Sequence, residues 1–310
     1  MICALPGMRS AVGGPWEVHY HCSADGTDQP AMFYAPDIER PVPLLVALHT
    51  WRGDYTQDIY RPCFEWYKTQ KWAYIHPDFR GSNNKPEATG SDLVVTDIED
   101  AVEFAKREAS IDSDKIYLVG TSGGGHAALL MTGRAPELWA GVSAWCGISD
   151  LAAWYRQHGG TGIYARMLEK SCGGPPGSSE KTNQEYRRRS PLTYLKHAAE
   201  VPLDINAGIY DGHRGSVPVS QYLRAFNAVA EPADRISEKN IRHITEKAEI
   251  PSKLQFGGTA PHYGEKEVLF RKRSGSARVT VFRGEHEIIF EAALHWLHEL
   301  EQGENPEGDK

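Results

Sequence analysis

The chain is predicted to be an α/β protein built on a mostly parallel, eight-stranded sheet with helices on both faces. Three observations lead there. Short apolar runs of the kind shown by strands buried on both faces recur along the sequence, as in Leu44-Leu45-Val46-Ala47-Leu48. Segments of helix length lie between them, with apolar residues at helical spacing, as Ile98, Ala101, Val102 and Ala105 show. The alternating order then implies right-handed crossovers, which put helices on both faces of a parallel sheet. A hydrophobic content of 40% with 24% charged residues excludes a disordered, collagen-like or coiled-coil chain.

The first strand, Trp16 to Cys22, alternates polar and apolar residues and ends at the turn Asp25-Gly26. A second covers Ala31 to Tyr34, a third Leu44 to Leu48, and a fourth Trp72 to Ile75, closed by Pro77-Asp78. A helix is expected from Asp97 to Arg107, a fifth strand from Lys115 to Val119 and a helix from His126 to Thr132. The sixth strand falls within Trp139 to Ile148 and the seventh within Val201 to Tyr210. A helix from Val217 to Val229 carries Pro218 in its first turn, where proline is tolerated. Ala277 to Phe282 is the eighth strand, and Glu285 to Leu300 the closing helix.

Two stretches break the rhythm. Residues 149–189, with Gly159-Gly160 and Gly173-Gly174-Pro175-Pro176-Gly177, read as an insertion of short helices and loops. Residues 231–272 are polar and weakly periodic, and a loop of that length usually carries function or internal structure. The expected organisation is a single catalytic domain over residues 1–300 with these two insertions, followed by a polar tail at 301–310.

Lys and Arg total 34 against 41 Asp and Glu, a net charge of −7, so no basic stripe offers to neutralise phosphates and no nucleic acid partner is expected. No apolar run approaches a membrane span, and Met1 to Gly14 has neither a sustained apolar core nor a cleavage site, so no membrane partner and no signal peptide are expected. The five cysteines, Cys3, Cys22, Cys63, Cys146 and Cys172, are scattered without a C-x-x-C pair, which fits reduced thiols in a cytoplasmic protein.

Gly120-Thr121-Ser122-Gly123-Gly124 fits G-x-S-x-G. The pattern alone is weak; its context, a buried strand running in and an Ala/Leu-rich helix running out, lifts it to a nucleophile elbow. Flanking glycines let a sharp turn expose the Ser122 Oγ, and the helix start aims N–H groups at a developing oxyanion. The bland alternative is a Gly-rich helix start without chemistry. A serine nucleophile needs a base and a carboxylate that orients the base. In chain order Ser, Asp, His, these are Asp211, just past the seventh strand, and His286, just past the eighth. Asp204 sits at the other end of the seventh strand and is expected to be distant. His213 and His262 are rivals for the base, His213 lining the site or its rim and His262 on a surface loop. No metal is expected, because His286-Glu287 lacks the second His of H-E-x-x-H, and no cofactor is implied. A second oxyanion donor should come from the loop His49-Thr50-Trp51-Arg52-Gly53-Asp54, with the Trp51 amide first and Thr50 behind it. The Trp51 ring either packs in the core or walls the substrate pocket.

With these residues the chain resembles an α/β-hydrolase, and more closely the catalytic domain of the prolyl oligopeptidase family and its relatives among acetyl xylan esterases. The resemblance runs from Leu44 to Leu300. It is carried by the elbow, by Asp78-Phe-Arg-Gly-Ser82, by Arg189-Ser-Pro-Leu-Thr-Tyr194, by Asp211-Gly-His-Arg-Gly-Ser-Val-Pro-Val-Ser-Gln221 and by Gly284-Glu-His-Glu287. It implies Ser122 as nucleophile, His286 as base, Asp211 as its orienter, and Gly123 with Trp51 as oxyanion donors. A small insertion over the site is also expected. The chain departs from the pattern at His49-Thr50-Trp51, where these relatives usually carry His-Gly-x, and at Asn206-Ala207-Gly208, which replaces the usual His-Gly. The family's peptidases often carry an N-terminal β-propeller that screens substrates; the third strand already begins near Leu44, and an ungated hydrolase is expected.

The expected activity is acyl transfer from a carboxylic ester, short-chain or carbohydrate. The aromatics Trp51, Trp145, Trp154, Tyr155 and Tyr164 lie near the expected pocket loops, where rings can stack on sugars. A serine peptidase acting on short peptides is the alternative, because the same triad cleaves amides. A non-catalytic binding protein on a hydrolase scaffold is the third reading. Expected partners are therefore a small-molecule ester, an acylated saccharide or a short peptide.

Overall fold

The computed structural model describes residues 13–198 and 200–303. Its strands are β1 (Trp16–His21), β2 (Asp28–Tyr34), β3 (Val42–Leu48), β4 (Ala73–Pro77), β5 (Ile111–Thr121), β6 (Gly141–Trp145), β7 (Leu203–Gly208), β8 (Val268–Ser274) and β9 (Ala277–Phe282). They form one nine-stranded sheet in the order β1-β2-β4-β3-β5-β6-β7-β9-β8. The six strands from β4 to β9 across its middle run parallel, and β1, β2 and β8 pair antiparallel at the two edges.

The helices are α1 (Arg61–Gln70), α2 (Asp92–Glu108), α3 (Gly123–Arg134), α4 (Leu151–Gln157), α5 (Gly162–Cys172), α6 (Glu180–Arg188), α7 (Ser220–Val229), α8 (Glu238–Lys247) and α9 (Phe290–Glu301). Every residue of β3 is buried, and its side chains alternate between two cores. Leu44, Val46 and Leu48 pack with residues of α2, α3 and α7; Leu45 and Ala47 pack with Tyr67 of α1 and Trp296 and Leu297 of α9. Continuous apolar strands are thus required, because a helix layer covers each face. Several helices start on a side-chain oxygen: Ser91, Asp150, Ser179 and Ser237 each accept a backbone N–H from three residues on.

The sheet has nine strands rather than eight. The additional one, β8, begins in the stretch 231–272 that reads as polar and irregular, which also contains α8, and runs on to Ser274. Arg271, Lys272 and Arg273 mask its apolar period, and such charges are common on a strand with one open edge. The closing helix begins at Phe290 and not at Glu285, since the Glu287 carboxylate accepts the Glu285 N–H and turns the chain there. Helix α1 carried no expectation. Residues 149–189 hold α4, α5 and α6. No helix among the described residues is long and apolar enough to cross a membrane. The expectations for Cys3 and a leader within residues 1–12, and for most of the tail, lie outside the described residues; Cys22, Cys63, Cys146 and Cys172 are buried free thiols.

Candidate active site

Ser122 joins β5 to α3 with φ 59° and ψ −116°, a conformation that costs on the order of 1–3 kcal/mol and persists only where its surroundings impose it. Here the backbone crowds it. A Cβ on Gly120 would collide with the Gly124 carbonyl, one on Gly124 with the Leu48 carbonyl, and one on Gly123 with the Trp51 backbone. The Ser122 amide donates to the Trp145 carbonyl at 2.8 Å, and its own carbonyl accepts from the His126 amide at 2.9 Å. Both main-chain groups are therefore committed, and the hydroxyl remains for another partner.

That partner is His286. Its Nε2 lies 2.9 Å from Ser122 Oγ, and its Nδ1 lies 2.7 Å from Asp211 Oδ2. A carboxylate only accepts, so Nδ1 carries the hydrogen and Nε2 accepts from the serine hydroxyl. Asp211 is buried, whereas the His286 side chain keeps 23% exposure. The amides of Gly212 and Val217 each donate to Asp211 Oδ1 at 3.0 Å, and the Tyr222 hydroxyl donates to Oδ2. The donors other than His286 are neutral groups held in place by the chain. Burial, followed by the neighbouring Asp211 charge, pushes the Tyr222 hydroxyl and the Cys146 thiol well up, so both stay protonated beside the carboxylate.

The loop after β3 reaches the elbow from the other side. The Thr50 amide donates to Gln57 Oε1 at 2.9 Å and is spent. Trp51 N–H donates to no acceptor among the described residues, and Gly123 N–H opens α3, where no earlier helical turn offers a carbonyl. The Trp51 carbonyl is held by the Asn83 amide at 2.9 Å and Asn83 Nδ2 at 3.2 Å. Two free N–H groups thus flank Ser122.

Two tryptophans expected near the pocket, Trp51 and Trp145, turn their rings into the core. The Trp51 ring is 2% exposed and packs edge-on against Trp154 and His126, so this residue offers the site its amide and not its ring. Trp145 is fully buried; its Nε1 donates to Ser143 Oγ, and its ring faces Tyr263 and Phe282, because its place on β6 turns it into the α9-side core. His213 is bound through Nε2 to the Thr245 carbonyl at the end of α8. His262 stacks on His295, with ring centroids 3.4 Å apart. Of the other aromatics, Trp154 is buried and donates to the Ser216 carbonyl, and the Tyr155 hydroxyl donates to Glu169.

Sequence reasoning missed four neighbours of the triad. Tyr222 and Val217 lie within Asp211-to-Tyr222 and could be suspected only from proximity to Asp211. Cys146 takes φ 50° and directs its thiol to the Glu287 carbonyl at 3.3 Å. Gly215 is required because a Cβ there would strike Asp211 and His286. Among the described residues one group could gather a metal ion, namely Cys146, Asp211 and His286, whose ligand atoms lie within 4.8 Å of one another. All three are engaged in the hydrogen bonds above, so the arrangement suits proton transfer.

Residues 61–249, more than half of the chain, match the prolyl oligopeptidase family. No curated protein matches the sequence significantly. Among solved structures, puromycin hydrolase aligns with a TM-score of 0.62 at 17% identity, over 96% of this chain and 40% of its own. An acylaminoacyl peptidase from Pyrococcus horikoshii gives 0.61 at 16% identity, over 94% and 41%. Prolyl oligopeptidase B from Galerina marginata gives 0.56 at 16%, over 76% and 32%. At such identities the likeness is one of fold, and this chain spans well under half the length of each.

Proposed function

We propose, starting from the fact that the chain belongs to the prolyl oligopeptidase family of serine hydrolases, that it cleaves short peptides or N-acylated amino acids by acyl transfer through Ser122. The observation that supports this most is the unbroken hydrogen-bond chain from Ser122 Oγ through His286 to Asp211. In this reading Ser122 Oγ attacks the scissile carbonyl as its proton passes to His286 Nε2. Asp211 keeps Nδ1 protonated and stabilises the imidazolium that forms. The carbonyl oxygen becomes an oxyanion beside the Trp51 and Gly123 amides, where each donor is worth on the order of 3 kcal/mol. His286 returns the proton to the leaving amine. Water then repeats the sequence on the acyl-enzyme and frees Ser122.

Ester hydrolysis is the second reading, since a site that cleaves amides also accepts esters. The support for carbohydrate esters is thinner, because Trp51, Trp145 and Trp154 are buried and leave Tyr155 and Tyr164, both half-buried, as the aromatics that could meet a sugar. A binding protein without catalysis has less support, because it gives no reason to hold Ser122 in a strained turn. The test is labelling with a fluorophosphonate, followed by turnover of N-acetyl-aminoacyl nitroanilides, p-nitrophenyl acetate and acetylated xylan. Labelling should disappear in Ser122→Ala, and the anilides should turn over. Ester turnover with inert anilides would replace the peptide reading by the ester one; absence of labelling would sink both.

A further inference from the structure

On the α9 side of the sheet, a cavity of about 170 Å³ opens between the turn Pro261–Tyr263, strands β8 and β9, and α9. A site of about 150 Å³ holds a benzene ring, so only a small ligand fits. Tyr263 and Trp296, both buried, supply aromatic walls. Arg271 and Arg278 bring guanidinium groups, and Glu299 is the one carboxylate of the lining. The cavity is separate from Ser122. Arg278 is the second residue of β9, whereas His286 lies beyond its carboxyl end, with about 13 Å of strand between them.

Arg278 has donors to spare. Its side chain is only 9% exposed, and a guanidinium carries five N–H donors. Nε donates to Asp204 Oδ1 at 2.6 Å, and the group lies over the Trp296 ring, 5.3 Å from its centroid. Nη1 and Nη2 donate to no acceptor among the described residues. Neither nitrogen is sealed from solvent, so this edge of the fork opens into the cavity that Arg278 lines. The Glu299 carboxylate does not meet it; its Oε1 stands 3.2 Å from His295 Nδ1. Arg271 adds a second positive charge, with Nε on Thr280 Oγ1 at 3.2 Å and the guanidinium over Tyr263. Asp204 offsets one of the two charges from behind and Glu299 opposes the other. Selection therefore rests on the unpaired planar fork, which a carboxylate matches with two parallel N–H···O bonds.

We propose that this cavity binds a small monocarboxylate, its two oxygens on Arg278 Nη1 and Nη2 and its carbon body along Trp296 and Tyr263. The proposal does not depend on the hydrolase reading. Calorimetric titration of Ser122→Ala protein with benzoate, and with benzamide as the uncharged analogue of the same shape, tests it without turnover. One saturable site is expected, with benzoate preferred about tenfold or more, the gain from hydrogen bonds between charged groups. Arg278→Lys keeps a cation beside Asp204 but loses the fork, and it should bind benzoate at least about fivefold more weakly. Ala260, half-buried, also lines the cavity. Ala260→Trp should fill it and abolish binding of both probes, which decides the matter even where Arg278→Lys does not fold. No saturable binding, benzamide bound as tightly as benzoate, or undiminished benzoate binding to either variant would each overturn the proposal. So would a benzoate-soaked crystal with the carboxylate on the Trp51 and Gly123 amides and only water on Arg278.

Discussion

Asp204 lies within β7 and Asp211 just past its carboxyl end, and both are buried, yet their surroundings differ in one decisive respect. Asp204 meets a permanent cation: Arg278 Nε donates to Oδ1 at 2.6 Å, while Ser143 Oγ at 3.0 Å and Asn206 Nδ2 at 2.7 Å donate to Oδ2. The network closes on itself, with Tyr263 donating to Asn206 and Trp145 to Ser143. Among the described residues Asp211 meets no guanidinium or ammonium. Its fixed donors are neutral, and the remaining one is an imidazole that can gain or lose a proton. A carboxylate already matched by an arginine can only hold structure. One left with neutral donors keeps its charge available to orient and stabilise a titratable base. Position carries the distinction, since Asp204 is inside β7 and Asp211 lies just beyond its carboxyl end.

The sharpest way to break this comparison is to neutralise each carboxylate's partner relation in turn. Asp211→Asn keeps the shape but allows the wrong imidazole tautomer, and kcat should fall about 10⁴-fold while the folded protein survives. Steady-state turnover on the best substrate, beside a denaturant unfolding curve, checks both halves. A loss under tenfold would mean that Asp211 does not orient His286.

Arg278→Met should do the reverse. It strands the buried Asp204 charge and should destabilise the fold by about 3–5 kcal/mol, with kcat of the folded fraction within about twofold of the parent. Arg278→Met combined with Asp204→Asn should recover much of the loss, because a buried ion pair exchanged for neutral groups is often tolerated. The readout is the unfolding free energy at pH 7 for both single variants and the double. A kcat loss in Arg278→Met as large as in Asp211→Asn would erase the division between structural and reactive carboxylate.

The legible part of the molecule follows from the same division. Parallel strands buried on both faces leave continuous apolar runs, so β3 and the Ile116–Val119 half of β5 could be read directly, whereas β7 carries Asp204 and Asn206 and was legible from its place in the alternation. The elbow was legible because the crowding at Gly120, Gly123 and Gly124 forbids side chains. Asp211 and His286 were legible because chain order and strand ends restrict where a triad member can stand. The edge strand β8 was hidden, since a single covered face permits the charges Arg271 to Arg273. Helix α1 was hidden as well, because its buried residues Cys63 and Tyr67 give only a thin stripe. Ring orientation could not be read either. Trp145 sits one residue before Cys146, yet the alternation of β6 sends the indole to the core and leaves Cys146 Sγ beside the triad. Proximity in sequence to a site residue therefore says little about where an aromatic points.

The comparison extends to the imidazoles. His286 is partly exposed and paired with a carboxylate, whereas His126, on α3 directly behind the elbow, is buried and donates through Nε2 to the Arg189 carbonyl at 2.9 Å. Burial pushes His126 down to about 4, and the nearby Arg189 charge acts in the same direction. The unfolded chain takes up this proton near 6.5, well before the folded protein does. Stability is thus fully present above about pH 6.5 and declines as the pH falls toward 4, because the unfolded state binds the extra proton. His126 should cost about 1 kcal/mol by pH 5.5. His126→Gln, which can still donate to the Arg189 carbonyl, should flatten the fall in unfolding free energy between pH 7.5 and 5.5 by that amount. Equal slopes for the variant and the parent would show that the folded protein accepts a charge at His126, and that burial alone does not keep an imidazole neutral here.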